Sequence, residues 1–396
     1  MALPAVLYVS YDGMLEPLGQ SQVIAYLEGL TDTAAFHLIS YEKPADWHDS
    51  AKRDAIAARL HAAGIVWHPL RYHKSPSVPA TLYDIMCGTL LALYLTLRHR
   101  IRFVHARSYI PALIGRVVKA LTGAKLLFDM RGLWADERVD GGIWPKDGRV
   151  FRTVKGLEKG FLLHADQVVT LTHASAEVIA AFPYLAGRPL KMSVIPTCAD
   201  LDLFRPERTA PPATFTLGYL GSVGTWYLFD EVLEIFRLLR ARGPAKLLVI
   251  NRHERDFITG RIAAFDIDPT DVEITAVAHR EVPQQIARMS VGAAIIKPIY
   301  SKIASAPTKL AEYLGCGVPC LGNTGVGDME AILEGEKVGV ALTDFSPADR
   351  AGAVDRLLAL VADPEMPARC RAVAEKLFSL DQGVIDYRAI YRELLA

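Results

Sequence analysis

VGAAIIKPIYSKIASAPTKLAEYLGCGVPCLGN, residues 291–323, decides the fold. It opens on an apolar run of strand length, VGAAIIKP (291–298), and passes through a loop into a helical stretch headed by Pro307. That stretch closes on a Gly-x-Gly-x-Pro stop at Gly315, Gly317 and Pro319, and a second apolar run, VPCLGN (318–323), follows. Near-continuous apolar strands separated by helices belong to a parallel sheet covered on both faces.

The same alternation extends outward in both directions. Upstream, VLYVS (6–10), FHLISY (36–41), IVWHPL (65–70), FVHARS (103–108), KLLFDM (125–130), QVVTLT (167–172) and MSVIPT (192–197) read as strands. The segment SQVIAYLEGL (21–30) reads as the first helix. A proline-rich stretch, 194–215, then reads as a linker. Beyond it FTLGYLGSV (215–223), AKLLVIN (245–251), VEITAVA (272–278) and VGVALT (338–343) join the two strands of the opening unit, and helices at about 346–362, 367–378 and 380–395 end the chain. The fold class is therefore α/β, with two doubly wound Rossmann-like domains in tandem. We place them at 1–200 and 201–380, with a final helix, 381–396, expected to cross back to the first domain. Open parallel sheets bind ligands outside the carboxyl ends of their strands, so the expected site is a cleft between the domains.

Bulk properties narrow the function. The 396 residues are 51% hydrophobic and 22% charged, a foldable composition, and 44 basic residues balance 44 acidic ones. No global basic field calls for nucleic acid. The five cysteines (Cys87, Cys198, Cys316, Cys320 and Cys370) form no CxxC pair and point to reduced thiols, and no metal-ligand spacing occurs. LPAVLYVS at the start lacks a basic leader, and the longest apolar stretch, 82–97, falls short of a bilayer span of about 20 residues. These readings predict a cytoplasmic protein, at most peripheral on the inner face of a membrane.

The opening stretch also carries a candidate site. A helix starting at the carboxyl edge of a sheet turns free N–H groups and the positive end of its dipole towards a ligand, and phosphate suits such an end. Lys297, Lys302 and Lys309 add charge there, and Ser305 and Thr308 add hydroxyls. Glu312 lies roughly 8 Å further along at 1.5 Å per residue, about the separation of a nucleotide's diphosphate from its ribose. A carboxylate at that place would accept from both ribose hydroxyls. Spacing leaves a second reading open: a capped surface helix with Leu310, Tyr313 and Leu314 packed inward and Glu312 in solvent.

The order of elements, the stretch VIPTCADLDLFRP and above all PTKLAEYLGCGVPCLGN resemble the GT-B glycosyltransferases, specifically glycosyltransferase family four, over essentially the whole chain. The resemblance implies that Glu312 binds the ribose of a nucleotide-sugar donor and that Ser305 to Lys309 receive its diphosphate. Two departures stand out. The family's first glutamate, eight positions before the second, is Ala304 here. Its Gly-Arg at the end of the first strand of this domain reads Gly221-Ser222, and the lysine six positions on is Leu228. Lys302, Lys309 and Arg252 are the candidate replacement cations, and Gly221 and Ser222 offer a Gly-rich turn for close backbone approach.

The first half supplies a further set. YDGMLEPLGQSQ (11–22) joins a strand to a helix, with Gln20, Ser21 and Gln22 expected at the helix N-terminus. It is no G-x-G-x-x-G fingerprint, which argues against a dinucleotide cofactor. The resemblance places this loop near the donor sugar and acceptor, with Asp12, Gly19 and Gln20 as its site residues. His105 and Arg107 share a face at one strand end, and Asp129 and Arg131 occupy the next. The family's second histidine position is Arg107 here, which argues against a histidine general base and suggests an anionic group on the acceptor or donor. Asp129 and Arg131 serve equally as a structural pair. Trp134 and Trp144 are expected on a loop that stacks on sugar rings. Arg149, Arg152, Lys155 and Lys159 form either a solvated helix face or, with RHRIR (98–102), a surface for anionic lipid.

Together these readings predict a glycosyltransferase moving a sugar from a nucleotide diphosphate donor to a glycan, lipid-linked or small-molecule acceptor, in bacterial cell-surface polysaccharide or glycolipid synthesis. The resemblance implies retention of configuration, no metal and no cofactor. The alternatives are a nucleotide-sugar epimerase of the same architecture and a non-catalytic sugar-nucleotide-binding subunit.

Overall fold

The computed structural model describes residues 3–207 and 212–396. The chain forms two compact units, Met1–Ile195 with Leu380–Ala396, and Pro196–Ser379.

In the first unit the strands are β1 (Ala5–Ser10), β2 (Ala35–Glu42), β3 (Val66–Arg71), β4 (Phe103–Arg107), β5 (Lys125–Asp129), β6 (Gln167–Thr170) and β7 (Met192–Val194). They pair in parallel in the order β3-β2-β1-β4-β5-β6-β7. The second unit holds β8 (Phe215–Leu220), β9 (Ala245–Ile250), β10 (Val272–Thr275), β11 (Val291–Ala293), β12 (Cys320–Asn323) and β13 (Gly339–Leu342). Their order is β10-β9-β8-β11-β12-β13, again parallel. Each sheet is wound outward from its first strand and then resumed on that strand's other side. The winding reverses between β1 and β4 and between β8 and β11, and such a reversal is where doubly wound sheets open to ligands.

Alternation along the strands builds the core. In β9, Leu247 and Val249 enter one buried cluster with Leu217, Tyr219 and Phe236, while Leu248 and Ile250 enter another with Leu310, Tyr313 and Leu314. Both faces of the sheet are thus covered, which explains why its strands read as unbroken apolar runs.

Four helices matter below: α1 (Ser77–His99), α2 (Tyr109–Thr122), α3 (Arg149–His164) and α4 (Thr308–Gly315). The last helix, Leu380–Leu395, belongs to the first unit, where Tyr391 packs edge-on against Phe103 and the Arg388 guanidinium donates to the Gly29 carbonyl at 2.6 Å.

Several expectations need correction. The first helical segment opens at Pro17, not residue 21, and contains a wider turn over Gln20–Ile24, so Gln20 to Gln22 sit inside the helix and not at its free end. The stretch read as a linker is partly core: Ala199, Leu201 and Phe204 are buried in the second unit. Residues 208–211 of it lie outside the described residues. The apolar stretch 82–97 is the middle of a 23-residue helix, long and apolar enough to cross a membrane by length and composition. Asp84 and Gly88, which interrupt the apolar run, both face inward and do not shorten the helix.

Candidate functional site

The β8/β11 reversal gathers the residues of the opening stretch. A Cβ on Gly292 of β11 would lie 2.5 Å from the Tyr313 ring, so only glycine lets α4 lie this close to the sheet. That proximity drives Lys309 and Glu312 inward. Each keeps only 7% of its surface exposed, so the solvated reading of Glu312 is wrong.

Directly after β8, Gly221 adopts φ +98°, a conformation that excludes most side chains. Its position is fixed by its own N–H, which donates to Ile250 O at 3.0 Å, and by Asn251, whose Nδ2 donates to Gly221 O at 3.0 Å. Glu254 organises the rest of the turn, accepting from Ser222 Oγ at 2.9 Å, from the Val223 N–H at 3.1 Å and from Asn251 Nδ2 at 2.8 Å. Burial alone would raise its pKa, but these hydrogen bonds outweigh burial and hold the carboxyl below its ordinary value.

The turn then runs into Trp226 and Tyr227. Trp226 O accepts from the Lys297 N–H at 2.9 Å, and Tyr227 bridges to Ile296 beside β11. The two rings are thereby laid over the lysines: Lys302 Nζ is 4.1 Å from the Trp226 ring centre, and Lys309 Nζ is 4.1 Å from Tyr227 and 4.5 Å from Tyr219. A Cβ built on Gly221 would stand 3.7 Å from Lys309 Nζ. That ammonium has no hydrogen-bond partner. Burial pulls its pKa down to about 7, against the opposing charges of Glu312 and Glu254. Burial likewise pushes Glu312 up to about 7, with Lys309 working against the rise. A buried, unsatisfied cation beside a strained glycine turn is a cost that an anion would relieve.

The other residues of this set divide. Ser305 and Thr308 flank Pro307, which precedes α4 and leaves it without a side-chain cap. Lys302 is the middle residue of the short 3₁₀ turn Tyr300–Ala304, and its carbonyl accepts from the Ser305 N–H. Arg252 is exposed and donates from Nε and Nη2 to Val277 O at 3.0 and 2.6 Å. Leu228 stands where the family lysine was expected and heads the helix Phe229–Arg242. Tyr219, Trp226, Tyr227 and Glu254 were missed in the sequence. The aromatic pair immediately after a Gly-rich turn was the available signal.

At the β1/β4 reversal of the first unit, the parallel register sets Ser10 beside Arg107 and Arg107 beside Asp129. Arg107 is buried and pairs with the half-exposed Asp12 carboxylate. His105 is enclosed by the rings of Tyr8, Tyr387 and Tyr391; its Nδ1 lies 2.7 Å from Tyr391 Oη and its Nε2 3.6 Å from Asp129 Oδ2. Burial lowers the His105 pKa, against the opposing pull of Asp129. Arg131, at φ +54°, brings its guanidinium 3.7 Å from Asp129 Oδ1. Burial would raise the Asp129 pKa, yet Arg131 and His105 hold it down. Gly19 is buried against the Gly13 carbonyl, and Gln20 Nε2 reaches Leu15 O at 3.4 Å. The loop is pinned by a residue outside the sequence reading: buried Glu42 accepts from the Met14 and Leu15 N–H groups at 2.9 and 3.1 Å. Trp134 lies in the helix Trp134–Asp140 and packs edge-on against Trp144, not on an open loop.

No family model matches the chain, and no curated protein matches it. Solved structures do. The chain is similar to sucrose-phosphate synthase from Thermosynechococcus elongatus, with TM-score 0.74 and 14% identity over 99% of each chain. A glycosyltransferase from Rickettsia africae gives 0.72 and 14%, over 100% of this chain and 99% of the other. Anabaena Alr3699/HepE in complex with UDP and glucose gives 0.67 and 12%, over 98% and 100%. The fold is GT-B. At these identities the likeness is one of fold, and membership of glycosyltransferase family four remains the resemblance drawn from residues.

Proposed function

We propose that the chain is a glycosyltransferase that takes a nucleoside diphosphate sugar in its second unit, with the diphosphate on Lys309 and the Gly221 turn and the ribose on Glu312. One observation carries this reading: the buried Lys309 ammonium lacks a hydrogen-bond partner and lies beside Gly221, at the strand-order reversal of a sheet whose fold is shared with glycosyltransferases. The missing arginine and lysine of the family pattern are replaced here by one cation delivered from α4. Lys302 adds a second, and the rings of Trp226 and Tyr227 supply apolar cover.

In this reading the bond from the anomeric carbon to the diphosphate breaks, the acceptor hydroxyl oxygen takes its place and gives up its proton to the departing diphosphate, and the lysines stabilise the charge that develops on that leaving group. Electrostatic stabilisation of this kind is the dominant contribution in such chemistry. Retention and independence from metal belong to the same proposal, as do a glycan or lipid-linked acceptor and a cytoplasmic location. Asp12, Arg107, Asp129 and Arg131 are the acceptor-side groups, with His105 packed beside Asp129.

Incubation with radiolabelled nucleotide sugars, without acceptor, tests the assignment. Slow release of free nucleotide marks the transferase. A new sugar nucleotide marks an epimerase, and binding without turnover marks a non-catalytic subunit. Either of the last two overturns the proposal.

A further inference from the structure

The outward face of α1 carries an apolar ridge. Val78, Leu82, Met86, Leu90, Tyr94 and Leu97 recur at intervals of three or four, so they lie along one side of the helix. All are exposed, Leu90 at 62% and Leu97 at 71%. From Val78 to Leu97 the ridge runs about 29 Å at 1.5 Å per residue. Scattered exposed leucines need no explanation, but a continuous ridge of this length does.

The opposite face of the same helix is committed to the first unit. Ala80, Asp84, Gly88, Ala92, Leu95 and Thr96 are buried. Asp84 accepts from Tyr11 Oη and the His73 N–H and lies 2.6 Å from His73 Nδ1. A Cβ on Gly88 would come within 1.9 Å of Tyr41 Oη. A helix tied down in this way lies flat on the unit and offers one side only, so it cannot cross a bilayer while the unit stays folded.

Along the chain, the charge that flanks the ridge has one sign. Between Lys74 and Arg102 the only acidic residue is Asp84, which is buried, whereas Lys74, Arg98, Arg100 and Arg102 are all exposed. No charged side chain interrupts the outward face between Ser77 and Leu97. An apolar stripe flanked by exposed basic groups is complementary to acyl chains under anionic headgroups, and Tyr83 and Tyr94 are residues suited to that boundary. The competing basic stripe on α3 is weaker, because Lys155 is paired internally with Asp136 at 2.9 Å and with Glu158 at 2.5 Å.

We infer that α1 is a membrane-docking surface that lies in the plane of an anionic lipid interface, with the Val78–Leu97 ridge among the acyl chains and Arg98, Arg100 and Arg102 at the headgroups. The inference stands apart from the nucleotide site, since it uses none of its residues.

The full chain is to be sedimented with sucrose-loaded vesicles of phosphatidylcholine alone and of phosphatidylcholine with 30% (roughly, by mole) phosphatidylglycerol, the anionic lipid being the source of the electrostatic term. Wild type should pellet with the anionic vesicles. Leu82→Glu/Leu90→Glu, whose side chains are exposed, should keep the wild-type circular dichroism and Tm and lose pelleting. Arg98→Ala/Arg102→Ala should weaken partition into anionic vesicles by about twenty-fivefold, at about fivefold per arginine. Equal pelleting of wild type on both vesicles overturns the anionic assignment. Unchanged pelleting of the leucine variant overturns the ridge. A wild-type dimer that the leucine variant converts to monomer, with no pelleting of either, assigns the ridge to a second copy of the chain and overturns the lipid reading.

Discussion

Lys309 and Glu312 share one turn of α4, and burial moves their pKa values in opposite directions to the same place, about 7. In the ligand-free chain both groups titrate near neutrality, and a ligand that favours their charged forms restores both charges. Five predictions rest on this pair and on the β4–β5 cluster.

Replacing Glu312 by Gln should weaken nucleoside diphosphate binding by about 1.5–3 kcal/mol, the worth of a hydrogen bond to a charged group. The fold should survive, because burial disfavours the charged carboxylate in the free chain. Calorimetric titration with the wild-type affinity unchanged would remove the ribose assignment.

Affinity should peak near pH 7. A diphosphate raises the Lys309 pKa above about 7, so binding takes up a proton and weakens as pH climbs past that point. A ribose hydroxyl pair lowers the Glu312 pKa, so binding releases a proton and weakens as pH falls below about 7. Because the groups interact, the two limbs report the pair. Lys309→Met should flatten the alkaline limb and Glu312→Gln the acid limb. A profile flat from pH 6 to about 8.5 in the wild type contradicts this linkage.

Lys309→Met should also stabilise the ligand-free protein. The folded pKa of about 7 lies below the ordinary lysine value of 10.5, so the unfolded chain holds this proton more tightly. The lysine therefore costs stability in full below pH 7, and the cost fades as pH rises towards 10.5. Thermal unfolding at pH 6 should show a higher Tm for the variant, together with weaker diphosphate binding. A lower Tm at that pH would mean that Lys309 is compensated in the free chain.

Arg107→Ala and Arg131→Ala should depress sugar transfer strongly and change nucleotide affinity little, because both side chains belong to the first unit. Equal losses in transfer and in nucleotide affinity would contradict the acceptor-side assignment. Tyr391→Phe should cost about 1–3 kcal/mol in urea unfolding by leaving His105 Nδ1 buried without its partner. An unchanged unfolding midpoint would show that the hydroxyl contributes nothing to the docking of the C-terminal helix.

Much of this architecture was legible before any coordinates. Every apolar run read as a strand became one, in the expected chain order, since β-branched periodicity between helices is a local property and parallel sheets demand it on both faces. The turn at Gly221 and the stop at Gly317 were visible because a left-handed residue selects glycine on its own account. Helix starts were less legible: Pro17 opened the first helical segment a turn early, as the wider turn at Gln20–Ile24 left no mark in the spacing.

The environment of the charged groups was not legible at all. Spacing put Lys309 and Glu312 on α4, but whether they faced water depended on Gly292 letting the helix descend and on Tyr219 and Tyr227, some eighty to ninety positions away, closing over it. His105 likewise read only as a strand-end group sharing a face with Arg107 until Tyr391, 286 residues on, met its ring. Periodicity along a chain records which face of an element is apolar. The desolvation that sets a pKa arises from whatever distant segment packs there, and no local pattern encodes that partner.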